Sequence, residues 1–527
     1  MIQTDVRLEL SYSGEDILNA VTERLRVSRD EIKHFEIRKR KLNIKDKSDP
    51  HYTVTVAVSL ECEREERLLR FKKTVAPAAD LTLTVGKSER ALKPLVVGAG
   101  PAGLFSALIL AEAGLSPTVI ERGLDVEGRR TSVERFNKSG ELDPECNVQF
   151  GEGGAGAFSD GKLKYGAIDK YKMKVLSEFV LAGADESVLY SDSAHLGTDR
   201  LGGIIKKIRE KIISLGGKFM FSTRLVDVEL DCGRVTGAIC ECGGERVNIP
   251  TDALIVAAGH SARDVFEMLL ARGAQLEARP FGIGVRVEHP REYASRMVYG
   301  ENYDPRLPTA SYHLVTHLAS GRSVYSFCMC PGGTVVAAAS MDGRVVTNGM
   351  SEYARDGENS NAALLVSVRP EDFPSPHPLA GLDLQGEIEK RAFLAGGGAH
   401  RAPYMTMGEF MKREEGAVPT APSYPRGVTH RDLCEVLPDY ITDSLREAIV
   451  DFDRWMPGFY YPSATLTAAE TRSTSPVRVL RSADFEAHGI KGLYPVGEGA
   501  GYAGGIVSSA VDGVKCALAV ANLTEPN

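Results

Sequence analysis

Lys93–Glu121 reads KPLVVGAGPAGLFSALILAEAGLSPTVIE, and the reading of this stretch decides the fold. Leu95, Val96 and Val97 form a short apolar run of strand character, and a turn follows at once in which Gly98, Gly100 and Gly103 have the spacing G-x-G-x-x-G. From Leu104 to Ala113 apolar residues recur at three- and four-residue steps, which predicts a helix, and Gly114 supplies its stop. Gly98 permits the tight turn, Gly100 lets main-chain N–H groups approach a pyrophosphate, and Gly103 lets helix and strand pack closely. The helix start that follows Gly100 adds unpaired N–H groups and the positive end of a dipole. A second strand, 117–120, ends in Glu121, at the spacing of about 20 residues where a carboxylate accepts hydrogen bonds from ribose hydroxyls. Strand, glycines, helix, strand and acid in that order predict a site for an adenine dinucleotide with a free 2′-OH.

Working outward, the 527 residues are enough for two to four domains, and 43% hydrophobic with 25% charged residues is ordinary for a soluble globular protein. A formal net charge of −8 argues against general nucleic-acid binding, and the 19 basic against 16 acidic residues of segment 1–93 are too small an excess to reverse that. Nine scattered cysteines do not form a disulfide framework, and the C-x-C pairs Cys240/Cys242 and Cys328/Cys330 suit neither a zinc ribbon nor a thioredoxin-like pair. No metal site is expected. The start lacks a basic stretch followed by an apolar core, and no run reaches 18 apolar residues. A cytoplasmic protein in a reducing compartment, not spanning a membrane, is the expectation.

Segment 1–90 reads as a small α+β domain with strands near 6–10, 32–42 and 52–60, a helix over 14–25 and a linker at 76–80. Its Arg38-Lys39-Arg40-Lys41 cluster reads as a solvated edge strand. Five glycines in the run Gly151–Gly161 cannot build a packed element, and they suit backbone lying against a flat or charged ligand, with Ser159 and Asp160 available as caps. A long helix from Thr198 leads into a β-meander over 218–249, and the strand 251–258 then returns the chain to the parallel sheet, delivering Ala258, Gly259 and His260 to its carboxyl edge. The dinucleotide-binding domain is thus expected over 91–270 and 476–527, with a mixed α+β substrate domain over 271–475 in which 396–427 is a lid or a long loop. Near the end, Gly497-Glu498 and the glycine turn Gly504-Gly505 open a helix at Ile506, placing a carboxylate and a helix start where a polyol and an electron-rich ring would lie.

With both ends in view, the chain resembles the FAD-dependent oxidoreductase superfamily that has a glutathione-reductase-like FAD domain. Gly98, Gly100, Gly103 and Glu121 match the FAD fingerprint, Ala257-Ala258-Gly259 the second strand motif, and Gly497-Glu498 the late motif, with Glu in place of the usual Asp. More narrowly, NVQFGEGGAGAFSDGKL, AAGHSARDVFEML, YSFCMCPGG and VGEGAGYAGGIVSSAVDG resemble a bacterial family of large FAD-dependent dehydrogenases with a small N-terminal domain. The resemblance implies an α/β fold: a Rossmann-like FAD-binding domain, parallel sheet plus β-meander, with a mixed α+β substrate domain and a small N-terminal α+β domain. It also implies non-covalent FAD, with contacts expected from Gly98, Gly100, Pro101, Ala102, Gly103, Glu121, Arg122, Arg129, Gly153, Gly154, Ala155, Ser159, Ala258, Gly259, Gly497, Glu498, Gly504, Gly505 and Ile506.

No second G-x-G-x-x-G opens a helix, so a dedicated NAD(P)H domain is not expected, and NAD(P)H would serve only as a transient reductant. The leading expectation is a dehydrogenase passing a hydride between FAD and a small molecule. Four residues are catalytic candidates. His260 is a general acid or base, or a plain hydrogen-bonding group; Cys328 and Cys330, alternate residues on one strand face, are redox-active, or more simply inert buried thiols; Arg472 clamps a substrate carboxylate or sits in a structural ion pair. An RNA-associated or redox-sensing flavoprotein, and a flavin monooxygenase, are the alternatives; substrate and oligomeric state are not specified by the sequence.

Overall fold

The computed structural model describes residues 1–163 and 166–523. The last four positions of the expected 476–527 segment therefore lie outside the described residues.

The short apolar run and its partners form a five-stranded parallel sheet in the order Leu493–Pro495, Ala253–Val256, Pro94–Val97, Thr118–Ile120, Lys218–Met220. Pro94–Val97 and Ala253–Val256 are buried on both faces, as parallel strands covered by helices must be. On one side lies the helix Pro101–Glu112, apolar almost all round, packed along the C-terminal helix Ile506–Val520. Two glycines set these distances. A Cβ on Gly103 would stand 1.9 Å from the Gly98 carbonyl oxygen, and one on Gly513 2.2 Å from the Ala102 carbonyl oxygen.

A three-stranded antiparallel meander, Thr223–Asp231, Arg234–Cys242 and Glu245–Pro250, stands beside this sheet. The segment 218–222, expected in the meander, instead gives Lys218–Met220 to the parallel edge beside Thr118–Ile120. The reason is connectivity: the helix Thr198–Ser214 ends at a glycine pair and runs its next strand parallel, as a crossover does.

A seven-stranded sheet carries the other half, in the order Val315–His317, Ser323–Cys330, Asn359–Val368, Phe281–Pro290, Thr465–Glu470, Ala402–Thr406, Val428–His430. All neighbours are antiparallel except the last pair. The amphipathic helix Asp439–Trp455 buries Ile441, Leu445, Ala448, Ile449 and Phe452 against it. Segment 396–427 is neither a lid nor one long loop, since Ala402–Thr406 is a sheet strand and Met407 and Phe410 are fully buried in the core.

The N-terminal strands Ile2–Leu8, His34–Asn43, His51–Ser59 and Val75–Pro77 alternate with the helices Gly14–Leu25 and Cys62–Phe71. Their antiparallel order, His34–Asn43, His51–Ser59, Ile2–Leu8, Val75–Pro77, is that of the ferredoxin-like β-α-β-β-α-β arrangement. The first helix begins at Ser13, whose hydroxyl and Asp16 form a capping box. The helix Cys62–Phe71 escapes the sequence reading because it is charged nearly all round, burying only Leu68.

Candidate functional site

Between the carboxyl edge of the parallel sheet and the seven-stranded sheet runs one cleft of about 560 Å³, within the size range of small-molecule and cofactor sites. Gly98, Gly100, Pro101, Ala102, Glu121 and Arg122 line one end, while Gly497, Glu498, Gly504, Gly505 and Ile506 line it farther along, together with Gly154, Ala155, Ser159, Ala258 and Gly259. Two glycine turns some four hundred positions apart thus face the same space.

The first end is built from main chain. A Cβ on Gly154, whose φ is +62°, would stand 3.1 Å from the Cα of Gly100, so the two glycine segments touch where any side chain would separate them. Gly153 donates to the Ala99 carbonyl at 2.8 Å and fixes that approach. Glu121 sits under both segments. Its Oε2 accepts from Ala99 N at 2.8 Å and its Oε1 from Gly123 N and Gly151 N, each at 2.9 Å. Of about four acceptor positions on a carboxylate, three are thus taken by amides, leaving room for a single ribose hydroxyl and not the pair.

Three expected contacts stand behind the cleft and not on it. Gly103 faces Gly98, and Gly153 backs onto Ile205. Arg129, 1% exposed, gives its guanidinium to the carbonyls of Asn147, Val148, Gly151, Glu152 and Gly154. It therefore shapes the glycine loop from behind, because five inward carbonyls, two of them on the positive-φ glycines Gly151 and Gly154, need one multidentate donor. Arg122 does line the cleft, but its donors go to Glu145 at 2.7 Å and Asp264 at 3.0 and 3.1 Å, and it stacks on Phe150. Of the two expected caps, Ser159 accepts from Gly161 N, whereas Asp160 is a buried partner of Lys162 and Arg355.

The second end is built from side chains. His260 is 9% exposed, and its Nε2 has no hydrogen-bond partner among the described residues. Burial, with Arg472 nearby, depresses its pKa to about 4, so the ring is neutral at neutral pH. Arg472 takes the ion-pair alternative: Nε and Nη2 each lie 2.9 Å from Glu389, and Nη1 donates to Ser340 and Ser261. Glu498 receives no hydrogen bond or ion pair at its carboxylate from the described residues, and burial followed by the charge of Cys328 pushes it up to about 7.

Cys328 and Cys330 are not on one face of a regular strand. The ladder with Asn359–Val368 shifts between Phe327 and Cys330, and Cys328 has a φ of +42°. This bulge turns Cys328 to the cleft and buries Cys330 behind it, where the Cys330 thiol donates to the Cys328 carbonyl at 3.2 Å. The Cys330 side chain pulls the Cys328 thiol down and is itself pushed up.

The sequence reading missed the charged frame around them. Lys162 Nζ lies 2.9 Å from Asp160 and 3.9 Å from Cys330 Sγ. Arg286, fully buried, pairs with Glu470 at 2.6 and 3.0 Å and donates to Asn361 and to the Cys328 carbonyl. An arginine inside the otherwise apolar run Phe281–Val287 was the available signal, since a charge on a buried strand requires a partner.

The chain matches two families: residues 92–129 the FAD binding domain family, and residues 280–473 the family described as FAD-dependent protein, C-terminal domain-like. An uncharacterized protein of Clostridium beijerinckii is 44% identical over 521 residues, covering 96% of this chain and 97% of that one. Among solved structures, the flavin-dependent brominase Bmp2 aligns at 13% identity and a TM-score of 0.38 over 82% of this chain and 79% of its own. A flavoprotein/dehydrogenase from Cytophaga hutchinsonii aligns at 12% and 0.35 over 82% and 78%. No helix among the described residues is long and apolar enough to cross a membrane. A cleft cradled by glycine main chain at one end and lined by ionisable side chains at the other fits a flavin dinucleotide, and the chain belongs to this family of FAD-dependent proteins.

Proposed function

We propose that the enzyme is a dehydrogenase that passes a hydride between its non-covalently held FAD and a small molecule bound against the seven-stranded sheet. The observation that carries this reading is the continuity of one cleft from Gly100 through Gly505 to Ser311, Tyr312, His313, Asn348 and Glu470. In this reading Gly98, Gly100 and Gly154 hold the pyrophosphate, Glu121 a ribose hydroxyl, Glu498 the ribityl chain, and Gly504-Gly505-Ile506 the ring. The flavin supplies the two-electron chemistry when bound, and the protein positions and tunes it.

The chain's own residues orient the substrate, exclude water and manage a proton. His260, neutral and with a free Nε2, is suited to accept or return a proton there, and Glu498, with a pKa near neutrality, is suited to share one. Arg472 is a positioning residue that ties Ser261 of the cleft wall to the buried Ser340. The division into 1–90, 91–270 with 476–527, and 271–475 belongs to the same proposal, with NAD(P)H as a transient reductant.

The test is anaerobic mixing of the holoprotein with NADH, NADPH and a panel of metabolites, following the bound flavin optically. Bleaching by at least one donor is expected. A yellow protein that no donor bleaches would overturn the dehydrogenase reading in favour of a binding or sensing role.

A further inference from the structure

We propose that Cys328 and Cys330 are a redox pair that cycles between two thiols and one disulfide, exchanging two electrons with the bound FAD. The inference rests on the reading that the flavin ring lies at the Gly504–Ile506 end of the cleft.

Four observations converge on it. In a regular strand, residues two apart are separated by roughly 6.6 Å, at the long end of what a disulfide spans. Here the strand Ser323–Cys330 is bulged at this pair, so the separation of a regular strand does not apply to it. The bulge requires a non-glycine residue at φ +42°, a left-handed conformation that a strand does not adopt without a reason. Secondly, the two sulfurs are unequal: Cys328 lines the cleft, while Cys330 is fully buried behind it with its Sγ 3.2 Å from the Cys328 carbonyl oxygen. That is the arrangement of an attacking thiol backed by a resolving one.

Thirdly, the pair is set among cations. Lys162 Nζ is 3.9 Å from Cys330 Sγ, and Arg286 donates to the Cys328 carbonyl at 3.1 Å. Both cations stabilise a thiolate, and Asp160, Glu470 and Glu498 are the anions that face the same group. Finally, the segment after the pair cannot drift away. A Cβ on Gly332 would stand 1.8 Å from the Arg355 carbonyl oxygen, and Arg355 is tied to Asp160, the partner of Lys162.

In the oxidising direction both S–H bonds are lost and one S–S bond forms, releasing two electrons and two protons. FAD takes both electrons and both protons, so that dithiol and FAD become disulfide and FADH2. The reverse direction returns them. Lys162 is suited to steady the thiolate of either half-step, and Glu498 to hold the proton that moves.

The peptide 323–344, bounded by Arg322 and Arg344, carries these two cysteines and no other, which makes the pair separately measurable. In air-oxidised holoprotein denatured before alkylation, this peptide is expected to be unalkylated and lighter by two hydrogens. After anaerobic reduction with dithionite, both cysteines are expected to be alkylated. Reductive titration of the wild type is expected to consume twice the electron equivalents per FAD that Cys330→Ser consumes. Full alkylation of both cysteines in the oxidised protein, or equal titration of wild type and Cys330→Ser, would overturn the proposal. Should Cys330→Ser fail to fold, the wild-type peptide decides alone. Absence of flavin would instead strike the reading of the cleft, and would show as a colourless protein whatever the state of the peptide.

Discussion

The Gly98–Gly103 end of the cleft is mostly glycine main chain, with Glu121 and Arg122 largely engaged in bonds of their own, whereas the Glu498 end adds ionisable side chains drawn from distant segments. The first end is locally encoded: strand, turn, helix and acid all lie within Lys93–Glu121. The second is assembled by tertiary structure, with Arg286 meeting Glu470 across 184 positions and Asp160 meeting Arg355 across 195. A cradle of backbone depends on what is missing, the side chains of glycine. A reactive end depends on buried charges, each of which must be paired or shifted in pKa.

The largest break in this contrast is expected from Arg286→Leu, which leaves Glu470 buried without its partner. Loss of about 3–5 kcal/mol in denaturant unfolding is expected, and an unchanged midpoint would mean that the second end is not held by that pair. Gly103→Ala tests the first end. Its new methyl has no room beside the Gly98 carbonyl, so a loss of roughly 1–3 kcal/mol is expected together with a fall in flavin bound per chain. Full flavin content in that variant would contradict a cradle made by close backbone approach.

His260 sharpens the comparison through pH. Its folded-state pKa is depressed to about 4 from an ordinary 6.5, so between those values the unfolded chain binds the proton and the folded one does not. Its contribution is therefore present above pH 6.5 and is lost as pH falls toward 4, amounting to about 2 kcal/mol near pH 5. His260→Asn should flatten the slope of stability against pH in that window by this amount. His289, shifted in the same direction by burial, keeps its own share in the variant. An equal slope in both proteins would show that His260 titrates normally. The smallest effect belongs to Glu121→Gln, which weakens charge-assisted bonds to three amides and should loosen flavin by about 1 kcal/mol, read as a several-fold rise in Kd.

The same contrast explains what could be read from the chain before its structure. Gly98, Gly100, Glu121, Gly497 and Gly505 announce themselves because the spacing of a glycine turn is a property of consecutive residues. Arg129 is expected among the cofactor contacts but stands behind the glycine loop, since no spacing says that a side chain turns to the carbonyls behind a loop. The alternation of Cys328 and Cys330 predicted one shared face, and a single left-handed residue undid it. Lys162 lies inside a quoted run and Asp160 reads as a cap, yet nothing there signals the approach of Lys162 to Cys330 or of Asp160 to Arg355, because those partners are remote in sequence.

The N-terminal sheet bears on all of this through one edge. The strand His34–Asn43, which carries the basic cluster, is joined along its outer side by Tyr190–Asp192: Arg40 N donates to the Tyr190 carbonyl at 2.7 Å, and Asp192 N to the Arg40 carbonyl at 3.1 Å. Arg40 also stacks between Tyr52 and Tyr190, while Lys39 and Lys41 stay in solvent. Two residues farther on, Ala194 accepts from Leu163 N, so the same short segment is stitched on its other side to the chain that presents Lys162. A strand that elsewhere would recruit foreign chains is thereby occupied from within, and the leading module becomes a splint for the lysine beside the thiols.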